Sequence, residues 1–362
     1  MAPIKSTTFG YMSIFTDKVE TDNNIAGIGA TYTTTEVFEP GNGYRYLIYT
    51  APGYLNVNRG GSVDLLVVGG GGAGGQGEYY PPTSYYAGGG GGAGGYFQDF
   101  NFTLPIGEYD ISIGDGGAVA PQPTNEQLGL NRNASPGTPS YISGPGITTI
   151  IAYGGGGGGG GYDFSSPPPT TYTAGDGSDG GSGGGCSSTN PGTVSVGLGN
   201  STTAIAPARG STIPAYLQGS GAVQGYPGFG GDHPFLTSGG GGGAGAAGVG
   251  GPSHNGGDGR AAWTNDDGIP PSYGTPGPTP GRWFAGGGGG CSPSLAIPGG
   301  NNNGGAGGGG RGADQSPPTF VQSATAGTVN TGGGGGGGHG SGATYAAKAG
   351  GSGIVIIRYK IS

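Results

Sequence analysis

The sequence has little charge and no long hydrophobic run. Only 12 lysines and arginines stand against 20 aspartates and glutamates, the net charge is −8, and no basic cluster is present. Because binding to a phosphate backbone needs such a cluster, we expect no nucleic-acid partner. The longest apolar stretches, LLVV and IVII, are too short to cross a bilayer, and MAPIKSTTFGYMSIFTD has no signal-peptide core. We therefore expect a soluble protein that is not embedded in a membrane.

Motifs for catalysis or metal binding are also missing. His233, His254 and His339 stand apart without HxxxH or CxxC spacing, so we interpret them as solvated loop residues. GxGxxG strings are frequent because glycine is frequent, and no GK[ST] follows any of them. The acidic stretches GDGSDG (175–180) and NDDG (265–268) are more typical of turns than of calcium sites. We expect no enzyme activity, no metal and no cofactor.

The sequence has only two cysteines. Cys186 and Cys291 each follow a glycine run directly. Two cysteines are not a disulfide framework, although a single bridge between them is conceivable. The sequence leaves that pairing open.

Glycine is what the sequence has in abundance, with 98 residues beside 29 prolines. The runs recur from Gly69 to Gly353 and leave nothing large for a linker to separate. The runs must therefore form the domain itself. Eight glycine-rich segments stand out, at about 69–75, 87–95, 154–161, 180–185, 239–251, 286–290, 299–310 and 332–338.

Glycine runs of this kind suit a stack of polyproline II helices. Such a helix has three residues per turn and no internal hydrogen bonds, so all its N–H and C=O groups point outward. Neighbouring helices can satisfy these groups when no Cβ fills the gap between them. The unbroken runs 154–161 and 332–338 are therefore predicted to be innermost. Hydrogen bonds of about 0.5–1.5 kcal/mol each only balance the ordering entropy, so a β frame must add stability.

Several segments show strand patterns. The apolar residues alternate at 44–50, 54–58 and 108–113, whereas 63–68 and 354–359 are continuously apolar, as in strands buried on both faces. A further strand is predicted over 147–153, directly before eight glycines. No window has a sustained helical period. The predicted fold is mainly β or irregular: a small β-sheet frame supports a stack of polyglycine II helices joined by long loops, with almost no α-helix.

Three stretches carry a family resemblance: YRYLIYT…VDLLVVGGGGAGG, GGGGGAGGY and GGSGIVIIRY. With them, residues 41–362 resemble the glycine-rich domain of viral proteins, found notably in bacteriophage tail fibres. The runs and loops are also similar to the polyglycine II sandwich of receptor-recognising adhesins at tail-fibre tips. The resemblance implies a virion protein, made in the host cytoplasm, that binds a host surface glycan or outer-membrane protein and other tail-fibre proteins. Residues 1–40 would then be a separate segment for virion attachment.

The loops between the runs are rich in aromatic residues, the composition of antibody binding loops. If the eight runs alternate in direction, loops 76–86, 162–179, 252–285 and 311–331 emerge at one end. The same alternation makes strands 63–68 and 354–359 run in the same direction. We therefore predict that eleven receptor-binding residues share that end: Tyr79, Tyr80, Tyr85, Tyr86, Tyr162, Phe164, Tyr172, Trp263, Tyr273, Trp283 and Phe284.

Three functions compete for such a protein. The first is a non-enzymatic virion adhesin that recognises the host surface through its Tyr/Trp loops. The second is a structural virion protein, such as a capsid decoration or fibre subunit, whose loops contact other subunits. The alternative interpretation of the aromatics themselves is that they only cap the ends of the stack against water. The third, an ice-binding protein, requires regular Gly-X-X triplets and a flat Ala/Thr face, and the irregular runs argue against it. The sequence does not name the receptor, the host or the oligomeric state.

Overall fold

The computed structural model describes residues 20–22, 28–80, 84–120, 133–161, 175–187, 224–230, 238–250, 253–263, 268–292, 302–316, 320–339 and 345–361. Within these ranges the chain is all β or irregular and contains no α-helix. The strands are β1 (Glu20–Asp22), β2 (Gly29–Tyr32), β3 (Glu36–Phe38), β4 (Tyr44–Tyr49), β5 (Gly53–Arg59), β6 (Gly61–Val68), β7 (Glu78–Tyr80), β8 (Ser84–Tyr86), β9 (Tyr96–Leu104), β10 (Gly107–Ser112), β11 (Ser140–Ser143), β12 (Ile150–Ala152), β13 (Arg260–Ala262), β14 (Arg282–Phe284), β15 (Asp314–Ser316), β16 (Phe320–Gln322) and β17 (Ile354–Lys360).

Two antiparallel sheets form the frame. One has the order β1-β2-β5-β10-β11-β12 and the other β3-β4-β17-β6-β9, while β7–β8, β13–β14 and β15–β16 are separate hairpins. The facing sides of the two sheets share a core that includes Leu55, Leu65, Ile111 and Ile357. The strand predictions in this region are confirmed, except that the strand expected over 147–153 is confined to β12.

The two continuously apolar strands are buried on both faces, as their sequence predicts. Ile357 of β17 and Leu65 of β6 face the other sheet, whereas Ile356 and Leu66 pack on the opposite side beneath the β13–β14 hairpin. The expected common direction of these strands is wrong, because β17 pairs with β6 antiparallel, with Ile356 opposite Leu66.

Residues before position 40 also contribute to this frame. Strand β2 pairs antiparallel with β5, and β3 pairs antiparallel with β4. Residues 29–38 therefore supply strands to both sheets and are structurally continuous with the glycine-rich part of the chain.

The strands of the frame continue into extended glycine-rich segments, which we call rods. Rod 69–77 follows β6, rod 87–95 precedes β9, rod 154–161 follows β12 and rod 346–353 precedes β17. Along rod 69–77, the N–H groups of Gly69, Gly72 and Gly75 donate to one neighbouring rod at 2.8–3.0 Å. The two N–H groups between successive members of this series donate to other rods. This three-residue period is that of a polyproline II helix.

A central rod forms backbone hydrogen bonds with six neighbouring rods. In rod 69–77, the N–H groups donate to rods 87–95, 134–138 and 346–353, and the carbonyl oxygens accept from rods 114–118, 154–161 and 332–339. Each of those six rods also bonds to the next one around the ring, so the packing is hexagonal. Five rods among the described residues have such a complete ring: 69–77, 87–95, 238–244, 285–292 and 332–339.

Glycine is required because the rods are separated by backbone alone. A Cβ built on Gly157 would overlap the carbonyl oxygen of Ala134, and one on Gly334 would overlap that of Gly91. The residues of runs 155–161 and 332–338 are buried and bonded to other segments. The prediction that these runs are innermost is confirmed for 332–338, which has six neighbouring rods. Run 154–161 has five described neighbouring rods, and the side chains of Ser178 and Asn133 accept the N–H groups of Gly157 and Gly160 on its remaining side.

At the perimeter, side chains replace the missing neighbouring rods. Ser178 Oγ accepts the N–H of Gly157 at 2.7 Å, and Thr325 Oγ1 accepts that of Arg311 at 2.7 Å. Asp258 Oδ1 accepts the N–H of Ala306 at 2.8 Å in the same way. Short polar side chains on the outer rods therefore complete the backbone hydrogen bonding where the array ends.

The frame and the rods are joined by buried polar side chains. Ser140 Oγ donates to the carbonyl of Val68 at 2.7 Å and accepts the N–H of Gly114 at 2.9 Å, so it connects the two sheets where their strands become rods. Gln224 Nε2 donates to the carbonyl of Ile151 at 2.6 Å, next to the start of rod 154–161. These contacts hold the packed rods, which we call the array, in register with the two facing sheets of the frame, which we call the sandwich.

The two cysteines lie within the array rather than in a bridge. Cys186 and Cys291 are both buried thiols that form no disulfide with each other, and they lie on rods that flank rod 238–244 on different sides. Each behaves as a small apolar side chain at a rod terminus.

The array predicts a sharp difference between two glycines. Gly157→Ala should lower the free energy of unfolding by about 2–3 kcal/mol, because the new methyl overlaps a backbone that cannot rotate away. Gly230→Ala is the matched control, since a Cβ there has no atom within 4 Å. Thermal unfolding of both variants checks this, and a Gly157→Ala protein as stable as Gly230→Ala would contradict the hexagonal packing.

The junction predicts a second effect. Ser140→Ala removes the hydrogen bond to the Val68 carbonyl and leaves the N–H of Gly114 without the hydroxyl that accepts it, which should cost about 1–3 kcal/mol of stability. Ser135→Ala, at an exposed position, should change stability by less than about 0.5 kcal/mol. Denaturant titration of the two variants measures the difference, and equal midpoints would show that Ser140 does not join the sheets.

Candidate binding surface

The two ends of the rod array differ in their connections. At the proximal end, next to the sandwich, rods reverse through short turns at 180–182, 244–246, 306–308 and 329–332. Gly307 and Gly308 have φ of 99° and 94° there, a conformation that glycine adopts without steric cost. At the distal end, the described residues flank the longer segments 121–132, 162–174, 231–237, 293–301 and 340–344. These five segments therefore begin and end at the distal end, whereas residues 187 and 224, which flank segment 188–223, lie at opposite ends.

Two hairpins also lie at the distal end. Rod 69–77 runs directly into β7–β8, whose register places Tyr79 opposite Tyr85 and Tyr80 opposite Ser84. The residue after β8, Ala87, forms an antiparallel bridge with His339. Hairpin β15–β16 begins beside the end of rod 285–292, where Ser292 and Asp314 form a parallel bridge. The predicted residues Tyr79, Tyr80, Tyr85 and Tyr86 thus share the distal end.

A small apolar cluster supports these hairpins. Ala87, Cys291, Ala313 and Ala324 are buried together, with Tyr345 packed against them. Burial is the main cause of the raised pKa of the Cys291 thiol, and the charge of Asp314 adds to it. This cluster closes the distal end of the array beneath the loops.

Polar side chains cap the rods at the same end. Ser238 Oγ donates to the carbonyls of Gly88 and Cys291 at 2.7 and 2.9 Å. Asn302 Nδ2 donates to the carbonyl of Ala313 at 3.0 Å. Because the loops start from rod ends held in this way, their roots are fixed in position.

Gln76 and His339 are the residues at this end that the sequence reasoning missed. His254 and His339 are both fully buried, so their interpretation as solvated loop residues is wrong. Each lies at a rod terminus, where its backbone belongs to the array: the carbonyl of His254 accepts the N–H of Gly290. The available signal was a polar residue directly after or before a glycine run, as in GGQG and GGGHG.

Four of the predicted binding residues lie at the proximal end instead. Trp263, Tyr273 and Phe284 are 2%, 8% and 0% exposed and pack on the outer face of the sheet that contains β4, β6 and β17. Trp263 makes an edge contact with Tyr46, at 6.0 Å between ring centroids. The expectation that all eleven residues share one end is therefore wrong for these residues and for Trp283, which lies in β14.

The proximal aromatics are held by an extensive polar network. The guanidinium of Arg358 lies 4.5 Å from the Trp263 ring centroid and 4.7 Å from that of Tyr44, and its Nε donates to Asp64 Oδ2 at 2.8 Å. Tyr273 donates its hydroxyl to Glu36 Oε2 at 2.8 Å, and burial followed by this carboxylate raises the pKa of Tyr273. These residues seal the sheet rather than present a binding face.

The directions of the rods differ from those expected, because the rods are more numerous than the glycine runs. The run expected over 239–251 turns at 244–246 and forms two rods, and the run over 299–310 turns at 306–308. Rod 134–138 (ASPGT) has a single glycine, and rod 224–230 runs in the same direction as rod 181–187 before it. Counting glycine runs therefore gives the wrong end for residues 260–284.

Three predicted residues, Tyr162, Phe164 and Tyr172, lie outside the described residues. The residues on either side of that segment are at the distal end: Gly161 donates its N–H to the carbonyl of Gln76 at 3.0 Å, and Ser187 donates its N–H to the carbonyl of Gly175 at 2.9 Å.

The described residues contain no group of three or more His, Cys, Asp or Glu side chains arranged to hold a metal ion. Across those same ranges, no helix has the length and apolar character needed to cross a membrane.

A family model described as a glycine-rich domain matches residues 50–360, which is most of the chain. A search of curated proteins finds no match.

The revised assignment of the aromatic residues can be tested by stability. Phe284→Ala removes a fully buried ring and should cost about 3–5 kcal/mol. Phe100→Ala removes a ring that is 52% exposed on β9 and should cost less than about 1 kcal/mol. Chemical denaturation distinguishes the two, and a Phe284→Ala protein with wild-type stability would return Phe284 to the candidate binding residues.

Proposed function

The chain belongs to the glycine-rich domain family, and from that premise we propose that it is a viral adhesin of the bacteriophage tail-fibre kind, with no enzyme activity. Its binding surface is the distal end of the rod array, where hairpins β7–β8 and β15–β16 and the segments between the rods converge. In this role the protein is part of the virion and binds a host surface glycan or outer-membrane protein.

The observation that carries the proposal is the asymmetry of the two ends. The connections that begin and end at the proximal end are short turns or belong to the sealed aromatic layer, whereas most of those that begin and end at the distal end are long and start from capped rod ends. Segment 188–223 is different, because its flanking residues 187 and 224 lie at opposite ends of the array. Binding residues are commonly placed on loops that a rigid scaffold positions, because fixed roots reduce the entropy lost on binding. The distal end has this organisation.

The composition of the distal connections supports the same proposal. Hairpin β7–β8 contains four tyrosines, and segment 162–174 adds Tyr162, Phe164 and Tyr172. Tyrosine offers a large contact area together with a hydrogen-bonding hydroxyl, and only two side-chain torsions are lost on binding. Such residues suit a glycan ring or the loops of an outer-membrane protein.

The proximal end then faces the rest of the particle. Strands β2 and β3 carry residues 29–38 into the sandwich, at the end of the molecule opposite the proposed binding surface. In this arrangement the N-terminal segment attaches to other virion proteins while the distal loops point toward the host.

Cell binding by the isolated protein tests the proposal. The labelled full chain is added to a panel of bacterial strains, and the bound fraction is measured by flow cytometry. A variant with Tyr79→Ser and Tyr85→Ser should lose at least about tenfold in affinity for a strain that binds the wild type, because aromatic anchors dominate such interfaces. Phe100→Ser is the control, since it removes an exposed aromatic from the sandwich.

Two results would contradict the proposal. Equal loss of binding in the Phe100→Ser protein would move the binding surface to the proximal end. Binding to no strain, combined with antibody labelling of the chain on capsids, would favour the structural alternative, a capsid decoration or fibre subunit.

A further inference from the structure

His339 lies where three distal segments meet. It ends rod 332–339, and its N–H donates to the carbonyl of Tyr345 at 2.8 Å. Its own carbonyl accepts Gln76 Nε2 at 3.0 Å, and its backbone bridges Ala87, directly after hairpin β7–β8. One residue therefore connects the end of a central rod, the root of the tyrosine hairpin and the start of the returning chain at 345.

Gln76 extends the same connection. This side chain is 1% exposed, and its Oε1 accepts the N–H of Ala347 at 2.9 Å. Its backbone carbonyl accepts the N–H of Gly161 at 3.0 Å, immediately before segment 162–174. The contact between Gln76 and His339 thus fixes the roots of hairpin β7–β8 and of segments 162–174 and 340–344.

The surroundings of the His339 ring favour its neutral form. The ring is fully buried and lies 5.1 Å from the Tyr345 ring, centroid to centroid. The apolar cluster that supports the hairpins lies at the same end of the array. Among the described residues, the titratable groups on the segments that meet there are Glu78, Tyr79 and Tyr80 on β7, Tyr85 and Tyr86 on β8, Cys291 on rod 285–292, Arg311 on the rod that precedes β15, Asp314 on β15, and Tyr345 and Lys348 on the returning chain.

We propose that His339 is an acid-sensitive clasp of the distal end. While neutral, its imidazole stays buried and the roots of the loops remain fixed. When it gains a proton, the charged ring is more stable in water, so the rod terminus opens and releases hairpin β7–β8 and the chain around Tyr345. The central part of the rods stays closed.

The direction of the pH effect follows from burial. Desolvation lowers the pKa of His339 to about 4, whereas an exposed imidazole titrates near 6.5. Between these values the open state binds a proton that the closed state does not. The equilibrium constant for opening therefore rises by up to roughly tenfold for each pH unit of acidification, and it is independent of pH above about 7.

For its consequence, this inference rests on the proposed function: an adhesive distal end would loosen in mild acid. The clasp itself is a property of the isolated protein, so it is tested without a receptor. If hydrogen exchange shows no clasp, the cell-binding result still stands. If the protein binds no cells, hydrogen exchange still detects the clasp.

Amide hydrogen exchange of the full chain between pH 7 and pH 5 tests the clasp. After correction for intrinsic rates, protection of the Gly88, His339 and Ala347 amides should fall about tenfold per pH unit below pH 6. The amides of Gly91 and Gly335, in the middle of central rods, should keep their protection. Protection at Gly88 and Ala347 that stays constant from pH 7 to pH 5 would overturn the inference.

Two variants identify the responsible histidine. His339→Phe keeps a ring beside Tyr345 and should abolish the pH dependence, while His254→Phe, at another buried rod terminus, should retain it. The opposite result would overturn the assignment. If His339→Phe does not fold, NMR titration of labelled histidine in the wild type gives the answer: an imidazole of His339 that titrates near 6.5 would contradict a buried neutral clasp.

Discussion

The whole structure depends on the glycine-rich rods. Because glycine has no side chain, the backbone groups of a rod can form hydrogen bonds with neighbouring rods in every direction. In a sheet, a strand bonds to two neighbours, and its side chains occupy the remaining directions. In a rod, the three-residue period turns successive N–H and C=O groups toward six neighbours, and glycine leaves room for them. The carbonyl oxygens of Gly91 and Ala134 lie where a Cβ of Gly334 or Gly157 would be. The array therefore has almost no apolar core of its own and depends on the sandwich, whose strands become its rods, for hydrophobic stabilisation.

Much of this organisation could be predicted from the sequence. Strand β17 and strand β6 are continuously apolar because both faces are covered, and the uninterrupted glycines at 155–161 and 332–338 are buried because neighbouring backbone packs closely around them. The number and direction of the rods could not be predicted. A rod at the perimeter needs glycine only on its inward side, so a segment such as ASPGT can be a rod without resembling a run. Conversely, paired left-handed glycines such as Gly307 and Gly308 reverse the chain inside what reads as one run.

The candidate site was harder to predict for a related reason. Aromatic residues in a glycine-rich chain read as loop residues, because they interrupt the runs. Trp263 and Phe284 interrupt the runs too, but they do so where the chain returns to the sandwich, and there a sheet with an apolar outer face needs cover. Tyr79 and Tyr85 have the same composition and lie at the opposite end. Only the direction of each rod distinguishes the two groups, and that direction is set by hydrogen bonds between residues far apart in the sequence.

The polar residues at the rod ends explain how such a scaffold can carry variable loops. Where a loop begins, the last carbonyls and N–H groups of the rod would be left without partners, and a change in the loop could fray the array inward. Gln76, Ser238 and Asn302 instead satisfy these groups from within the bundle, so the array ends at a fixed surface whatever follows. Rods and loops are then energetically separate: the glycine lattice tolerates no added Cβ, while the distal connections can change length and sequence. A surface that must recognise different partners without losing its scaffold requires that separation.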